Sequence, residues 1–165
     1  MTDTTVGFIG LGNMGGGMSM NIARGGYNMV VHDLNRDTAT QLLEYGAEWA
    51  ESPKELAEVS DVIFTSLPGP AEVEAVATGD EGLMKGIKPG SVWLDLSTSS
   101  PTLIRRLADV FAEKGVTVMD APVSGGVRGA QHGRLAIMVG GDEKVFEKLR
   151  PLLESFGDRV THTGD

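Results

Sequence analysis

Three glycines near the start of the chain have the spacing of a dinucleotide-binding turn. Gly10, Gly12 and Gly15 form a G-x-G-x-x-G pattern directly after an apolar run. In such a turn the first glycine permits the bend, the second lets a pyrophosphate approach the backbone, and the third lets a helix pack on a strand. Because the chain has 23 glycines, roughly 0.4 matches arise by chance, so the pattern gains its weight from lying between a predicted strand and a predicted helix.

An acidic residue follows at the distance that this kind of site requires. Asp33 stands after a second predicted strand, where a carboxylate accepts hydrogen bonds from the adenine ribose and repels a 2′-phosphate, so NAD is the predicted cofactor. NADP stays open, because the guanidinium of Arg36 could pair with a 2′-phosphate as well as with solvent. The predicted cofactor contacts in this part of the chain are Gly10, Leu11, Gly12, Asn13, Met14, Gly15, Asp33, Leu34, Asn35 and Arg36.

Three later segments carry polar or unhindered groups where predicted strands end, and open α/β sheets bind ligands at that edge. They are SLPGP at 66–70, DLSTSSP at 95–101 and DAPVSGG at 120–126. The first could be a plain proline-rich turn, and Ser99 or Ser100 could simply cap a helix. Ser97 and Thr98 lie nearer the sheet edge, where nicotinamide or substrate would lie.

The last of these segments could bind an anion. Ser124, Gly125 and Gly126 offer a hydroxyl and two unhindered backbone N–H groups, which are the donors that a carboxylate needs. An ordinary glycine loop explains the same residues equally well. The three histidines have no spaced partner for a catalytic triad or a metal site, so no metal is predicted.

Strand and helix patterns alternate along the first 120 residues, which predicts a parallel sheet covered on both faces. We expect strands at 5–9, 28–32, 47–50, 61–66, 91–94 and 116–119, and helices at 13–24, 37–44, from 52, at 71–77 and at 101–114. A glycine-rich loop to 133, a strand at 135–139, a helix at 143–156 and a strand at 159–163 follow. The predicted fold is a Rossmann-type, doubly wound α/β domain with a mostly parallel sheet, forming a single domain over 1–165.

Composition excludes several classes of function. The formal net charge of −9 disfavours nucleic-acid binding, and the absence of cysteine excludes disulfides and thiolate chemistry. No apolar run approaches the roughly 20 residues that span a bilayer, so we expect no membrane partner. Because no basic segment precedes the first apolar run, we expect no signal peptide and a cytoplasmic location.

Four motifs in this order resemble the β-hydroxyacid dehydrogenase family, especially its 3-hydroxyisobutyrate dehydrogenase and tartronate semialdehyde reductase branches. They are GFIGLGNMG at 7–15, SLPGPAEVEAV at 66–76, DLSTSSP at 95–101 and DAPVSGGVRGA at 120–130. The related 6-phosphogluconate dehydrogenases tend to carry an acidic pair after Ser-Gly-Gly. Val127 and Arg128 stand there in this chain, which argues against that branch.

The resemblance implies hydride transfer between a nicotinamide and a short β-hydroxy acid or its semialdehyde. The roles implied by matching positions are substrate anchoring for Ser124, Gly125 and Gly126, a nicotinamide-side contact for Thr98, and a cofactor wall for Leu67 and Pro68. It also implies a homo-oligomeric full-length protein.

The resemblance also implies a catalytic lysine on a helix that follows such a domain, and then an all-helical domain, neither of which we expect within residues 1–165. We therefore expect these 165 residues to bind cofactor without turnover. Two alternatives stay open: an NADPH-dependent imine or semialdehyde reductase, favoured if Arg36 selects a 2′-phosphate, and a non-catalytic cofactor-binding scaffold.

Overall fold

Strands and helices alternate through most of the chain, as the sequence predicts. In the computed structural model, which describes residues 3–165, the strands are β1 (Thr5–Ile9), β2 (Asn28–His32), β3 (Glu48–Trp49), β4 (Val62–Thr65), β5 (Val92–Asp95), β6 (Thr117–Asp120), β7 (Val123–Ser124), β8 (Leu135–Gly140) and β9 (Gly157–Gly164). The helices are α1 (Asn13–Arg24), α2 (Thr40–Glu44), α3 (Pro53–Val59), α4 (Pro70–Thr78), α5 (Pro101–Ala112), α6 (Gly126–His132) and α7 (Glu143–Leu153), with 3₁₀ turns at Arg36–Ala39 and Leu83–Lys85.

The sheet is mostly parallel, and its strand order reverses beside β1. The order β3-β2-β1-β4-β5-β6 is parallel throughout, whereas β8 runs antiparallel to β6 and β7 and parallel to β9. The chain goes outward from β1 to β2 and β3, then returns to place β4 on the other side of β1. A crevice at the carboxyl ends of β1 and β4 is therefore the expected ligand site of this topology.

Buried apolar side chains form two clusters, because side chains of a strand alternate between the faces of the sheet. The neighbours Phe8 and Ile9 of β1 belong to different clusters, as do Val30 and Val31 of β2. This two-faced burial explains why the central strands are almost continuously apolar and were recognisable in the sequence. None of the helices in residues 3–165 is long and apolar enough to cross a membrane.

The main error of the sequence prediction lies in the segment expected to be a glycine-rich loop up to 133. That segment contains strand β7 and helix α6. Glycines in α6 lower its intrinsic helix propensity, so no helix was predicted there. The predicted helix at 37–44 is also divided, into the 3₁₀ turn and α2.

Contacts with α1 explain why α6 forms. The Asn21 side-chain amide donates hydrogen bonds to the carbonyl oxygens of Ala130 at 2.8 Å and Gln131 at 3.2 Å. The two helices pack so closely that a Cβ added to Gly17 would lie 2.9 Å from the carbonyl carbon of Ala130. Gly17, which the sequence alone does not explain inside a helix, thus permits the approach that stabilises α6.

We expect Gly17→Ala to destabilise the protein. Overpacking against α6 costs about 1–3 kcal/mol, of which a gain of roughly 1 kcal/mol in helix propensity offsets part. Gly16→Ala is the control. Its Cβ would lie 3.2 Å from the carbonyl oxygen of Leu11, in the turn before α1, and would not contact α6. Chemical denaturation should show the Gly17 variant to be the less stable; equal stability of the two variants would contradict the close packing of α1 on α6.

Candidate functional site

The turn between β1 and α1 depends on two glycines that leave no room for a side chain. Gly10 has a positive φ of 97°, and a Cβ there would overlap the carbonyl oxygen of Ser66. A Cβ on Gly15 would overlap the carbonyl oxygen of Gly10. The turn therefore brings the beginning of α1 against the carboxyl ends of β1 and β4.

Gly12 differs from both, because a Cβ added to it would meet nothing within 4 Å. Gly12 is the N-cap of α1, and no side chain caps this helix end. The N–H groups of a first helical turn carry partial positive charge and hold anions well. The space beside Gly12 therefore suits an anionic group close to the backbone.

Asp33 connects the glycine turn to the end of β2. One carboxylate oxygen accepts a hydrogen bond from the Leu11 N–H at 2.7 Å, and the other accepts from the Asn35 N–H at 2.9 Å. These bonds fix the carboxylate beside the turn. Each oxygen retains acceptor capacity, so the group can still accept from a ligand hydroxyl.

A cavity of about 680 Å³ lies at this crevice. Of the predicted cofactor contacts, those that line it are Gly10, Gly12, Asn13, Met14, Gly15, Asp33, Leu34, Leu67 and Pro68. The Leu34 side chain is fully exposed, so a flat apolar group in the cavity would shield it from water.

The charge of the cavity lining is negative. Its acidic members are Asp33, Glu72, Asp80 and Glu81, and no lysine or arginine occurs among the described lining residues. Additional negative charge on a ligand would therefore be repelled unless backbone N–H groups donated hydrogen bonds to it.

The other predicted site residues do not line this cavity. Thr98 is exposed in the loop after β5, and Ser124, Gly125 and Gly126 are exposed after β6. Because β4, β5 and β6 are parallel neighbours, these loops share the edge at which the cavity opens. The remaining residues outside the lining are Leu11, Asn35 and Arg36.

Simple structural roles account for several polar side chains. Asn35 accepts from the Asp37 N–H and caps the 3₁₀ turn. Ser100 accepts from the Leu103 N–H and caps α5, which confirms the capping alternative for that residue.

A buried chain of hydrogen bonds holds the edge loops together, and the sequence analysis missed it. The Trp93 indole N–H donates to Thr65 Oγ1 at 2.9 Å, and the Thr65 hydroxyl donates to Asp95 Oδ1 at 2.8 Å. Asp95 Oδ1 also accepts from the Ser97 N–H, and Ser97 Oγ accepts from the Leu67 N–H at 2.8 Å. Leu67 in the cavity wall is thereby tied to the loop that carries Thr98.

Asp95 is fully buried, and its Oδ2 atom has no hydrogen-bond partner. Burial raises the pKa of Asp95, although hydrogen bonds from Ser97 and Thr65 oppose the shift. Burial, and then the charge of Asp95, also raise the pKa of Asp120, its register partner on β6. Asp95 begins a motif noted in the sequence, but only the fold shows that it is buried.

Comparisons with known proteins place this geometry in context. Residues 5–164 match the family model of the NAD binding domain of 6-phosphogluconate dehydrogenase. The chain is 44% identical over 98% of its length to the "Probable 3-hydroxyisobutyrate dehydrogenase, mitochondrial" of Dictyostelium discoideum, covering 50% of that protein. It is 43% identical over 96% of its length to the 2-hydroxy-3-oxopropionate reductase of Escherichia coli, covering 54% of it.

Solved structures of other proteins have the same fold as this chain. The 3-hydroxyisobutyrate dehydrogenase of Mycobacterium tuberculosis, determined with L-serine, superposes with a TM-score of 0.89 at 36% identity, over 98% of this chain and 54% of that one. An imine reductase of Myxococcus stipitatus reaches a TM-score of 0.87 at 22% identity, over 97% of this chain and 55% of that one, a likeness in fold alone. The chain spans about half the length of the curated relatives it matches.

We expect Asp95→Asn to flatten the dependence of stability on pH. A raised pKa means that the folded state binds the proton more tightly than the unfolded state, so the free energy of unfolding falls as pH rises above 3.8, the ordinary value. Each pKa unit of difference corresponds to about 1.4 kcal/mol. Asparagine cannot ionise and keeps the acceptor oxygen used by Thr65 and Ser97.

The measurement is chemical denaturation between about pH 4 and 8, with Asp109→Asn, an exposed aspartate of α5, as the control. The control should follow the wild-type curve. An Asp95 variant whose stability falls as steeply as that of the wild type would show that Asp95 ionises without cost.

Proposed function

The chain belongs to the family of the NAD binding domain of 6-phosphogluconate dehydrogenase, and from that premise we propose that it holds NAD(H) in the crevice between β1 and β4 for hydride transfer to or from a short β-hydroxy acid. The observation that carries this proposal is the open space beside Gly12, next to an uncapped helix end and the fixed carboxylate of Asp33. We also propose that 1–165 is a single dinucleotide-binding domain.

The residues of the cavity divide into three functions in this proposal. The first turn of α1 would bind the pyrophosphate, because Gly12 lets it reach the backbone N–H groups. Asp33 would accept from the adenosine ribose, and Leu34 would pack against the adenine. When bound, the nicotinamide supplies or accepts the hydride.

The edge loops would serve the reacting end. Leu67 and Pro68 form a wall of the cavity, and the hydrogen bond from the Leu67 N–H to Ser97 holds that wall beside Thr98. We propose Thr98 as the nicotinamide-side contact. Ser124, Gly125 and Gly126 would donate to the substrate carboxylate. Similarity to a probable 3-hydroxyisobutyrate dehydrogenase and to a 2-hydroxy-3-oxopropionate reductase supports 3-hydroxyisobutyrate or a similar small acid as the substrate class.

The lysine that the family resemblance implies as general acid or base has no counterpart among the described residues that line the cavity. No lysine lines the cavity among residues 3–165. Lys88 pairs with Asp61, and the Lys114 ammonium donates to the Met84 carbonyl oxygen. We infer that this chain binds and orients the cofactor, and that turnover also requires the lysine implied by the family resemblance.

NAD fits the cavity better than NADP. The four acidic lining residues and the fixed carboxylate of Asp33 disfavour a 2′-phosphate. Arg36 does not line the cavity. The dehydrogenase is therefore preferred to an NADPH-dependent imine or semialdehyde reductase, and no observed feature favours a non-catalytic scaffold.

Gly12→Ala should weaken NADH binding without disrupting the fold. A methyl group there meets no protein atom within 4 Å but occupies the space proposed for the pyrophosphate. We expect affinity to fall by about tenfold or more, ~1.4 kcal/mol, in calorimetric titration. The loss of a glycine N-cap costs roughly 1 kcal/mol of stability or less.

Gly15→Ala is the comparison variant. Its methyl group would overlap the Gly10 carbonyl oxygen, so we expect it to lower thermal stability more than Gly12→Ala does. Unchanged NADH affinity in the Gly12 variant would refute the proposed pyrophosphate position.

We expect the 165-residue chain to bind NADH yet show no measurable oxidation of 3-hydroxyisobutyrate with NAD⁺. A missing general acid or base typically lowers rates by about 10²- to 10⁴-fold. Absorbance at the nicotinamide band gives the rate, and titration of the same sample establishes that it binds cofactor. Measurable turnover by a sample that binds NADH would be incompatible with the role assigned here.

A further inference from the structure

Arg36, which follows the cavity residues Asp33 and Leu34 in sequence, interacts with two other side chains. Arg36 Nη1 lies 3.6 Å from Glu51 Oε1, and the Arg36 guanidinium carbon lies 5.3 Å from the centre of the Trp49 ring. Both charged side chains are largely exposed, at 61% for Arg36 and 72% for Glu51.

The pair spans two segments that flank the cavity. Arg36 begins the 3₁₀ turn three residues after Asp33, and Asp33 lines the cavity. Glu51 stands two residues before Pro53, which also lines the cavity. A ribose held by Asp33 would therefore direct a 2′-phosphate towards the segment that carries Arg36, and we expect the guanidinium, once released, to reach it.

The interactions of Arg36 are the kind that a ligand can displace. An exposed ion pair and a cation over an aromatic ring are each weak in water. A phosphate dianion that accepts two guanidinium N–H groups is a stronger partner. Glu51 thus competes with any 2′-phosphate for Arg36.

Asp33 acts differently from Glu51. Its two oxygens accept backbone N–H groups of Leu11 and Asn35, so its position does not depend on Arg36. Two separate effects therefore disfavour a 2′-phosphate. Asp33 repels it from a fixed position, and Glu51 holds the guanidinium of Arg36, which a phosphate would have to displace.

We propose that Glu51 is a specificity-determining residue, which draws Arg36 over Trp49 and so disfavours dinucleotides that carry a 2′-phosphate. This inference rests on the proposed function, because it assumes that the dinucleotide occupies the cavity. Removing the Glu51 charge releases Arg36 for the 2′-phosphate and leaves binding of the unphosphorylated cofactor unchanged.

The test is calorimetric titration of NADH and NADPH at matched low salt, with wild type, Glu51→Gln, Arg36→Gln and the double variant. In Glu51→Gln we expect NADPH affinity to rise about three- to tenfold and NADH affinity to stay within about twofold. In the double variant this gain in NADPH affinity over Arg36→Gln should disappear, because no guanidinium remains to bind the 2′-phosphate. Circular dichroism verifies that each variant folds.

Glu48→Gln separates release of Arg36 from a general reduction of negative charge. Glu48 is an exposed acid on β3, three residues before Glu51, and its substitution removes the same charge without removing the partner of Arg36. A gain in NADPH affinity as large as that of Glu51→Gln would overturn the inference, as would a gain that persists in the double variant.

The two levels of the proposal fail in different ways. NADH binding by the wild type together with unchanged NADPH affinity in Glu51→Gln would overturn the inference alone. Binding of neither nucleotide by the wild type would overturn the proposed function and this inference with it.

Discussion

The candidate site depends on one close backbone approach. Because Gly15 has no side chain, α1 begins against the carbonyl oxygen of Gly10, and Gly10 in turn lies against the carbonyl oxygen of Ser66. These contacts place the uncapped beginning of a helix at the point where the strand order reverses. The anion-binding capacity of the crevice follows from this placement.

Two polar networks then fix the surroundings of that helix end. Asp33 joins the glycine turn to the end of β2 through two backbone N–H groups. On the other side, Asp95 and Ser97 connect the ends of β4 and β5 to the cavity wall at Leu67. Buried polar groups stabilise such an arrangement only when they are hydrogen-bonded, and the unpartnered Oδ2 of Asp95 explains why ionisation is disfavoured there.

Packing between α1 and α6 links the cofactor part of the chain to the segment after β6. Asn21 on α1 donates to the last carbonyl groups of α6, and Gly17 permits the helices to meet. Helix α6 begins at Gly126, within the proposed substrate anchor. Helix α1 therefore begins at the cavity and, through Asn21, holds the helix that follows the proposed substrate anchor.

The strands and helices with a regular apolar pattern were predictable from the amino-acid sequence alone. Strand β2 and helix α1 were predicted with the observed bounds, because buried strands read as apolar runs and Gly25 and Gly26 end the helix pattern. The G-x-G-x-x-G spacing and Asp33 likewise predicted which strand ends would form the crevice. Such signals are local, so they survive without knowledge of the fold.

Three other features became evident only from contacts within the folded chain. Helix α6 forms against its glycine-rich sequence because α1 supplies hydrogen bonds and a packing surface from more than a hundred residues away. Asp95 is unremarkable in sequence, yet burial between neighbouring strands makes it the centre of the edge network. Arg36 looked free to bind a phosphate until the fold brought Trp49 and Glu51 beside it. Each of these outcomes depends on residues distant in sequence becoming neighbours, which local pattern does not encode.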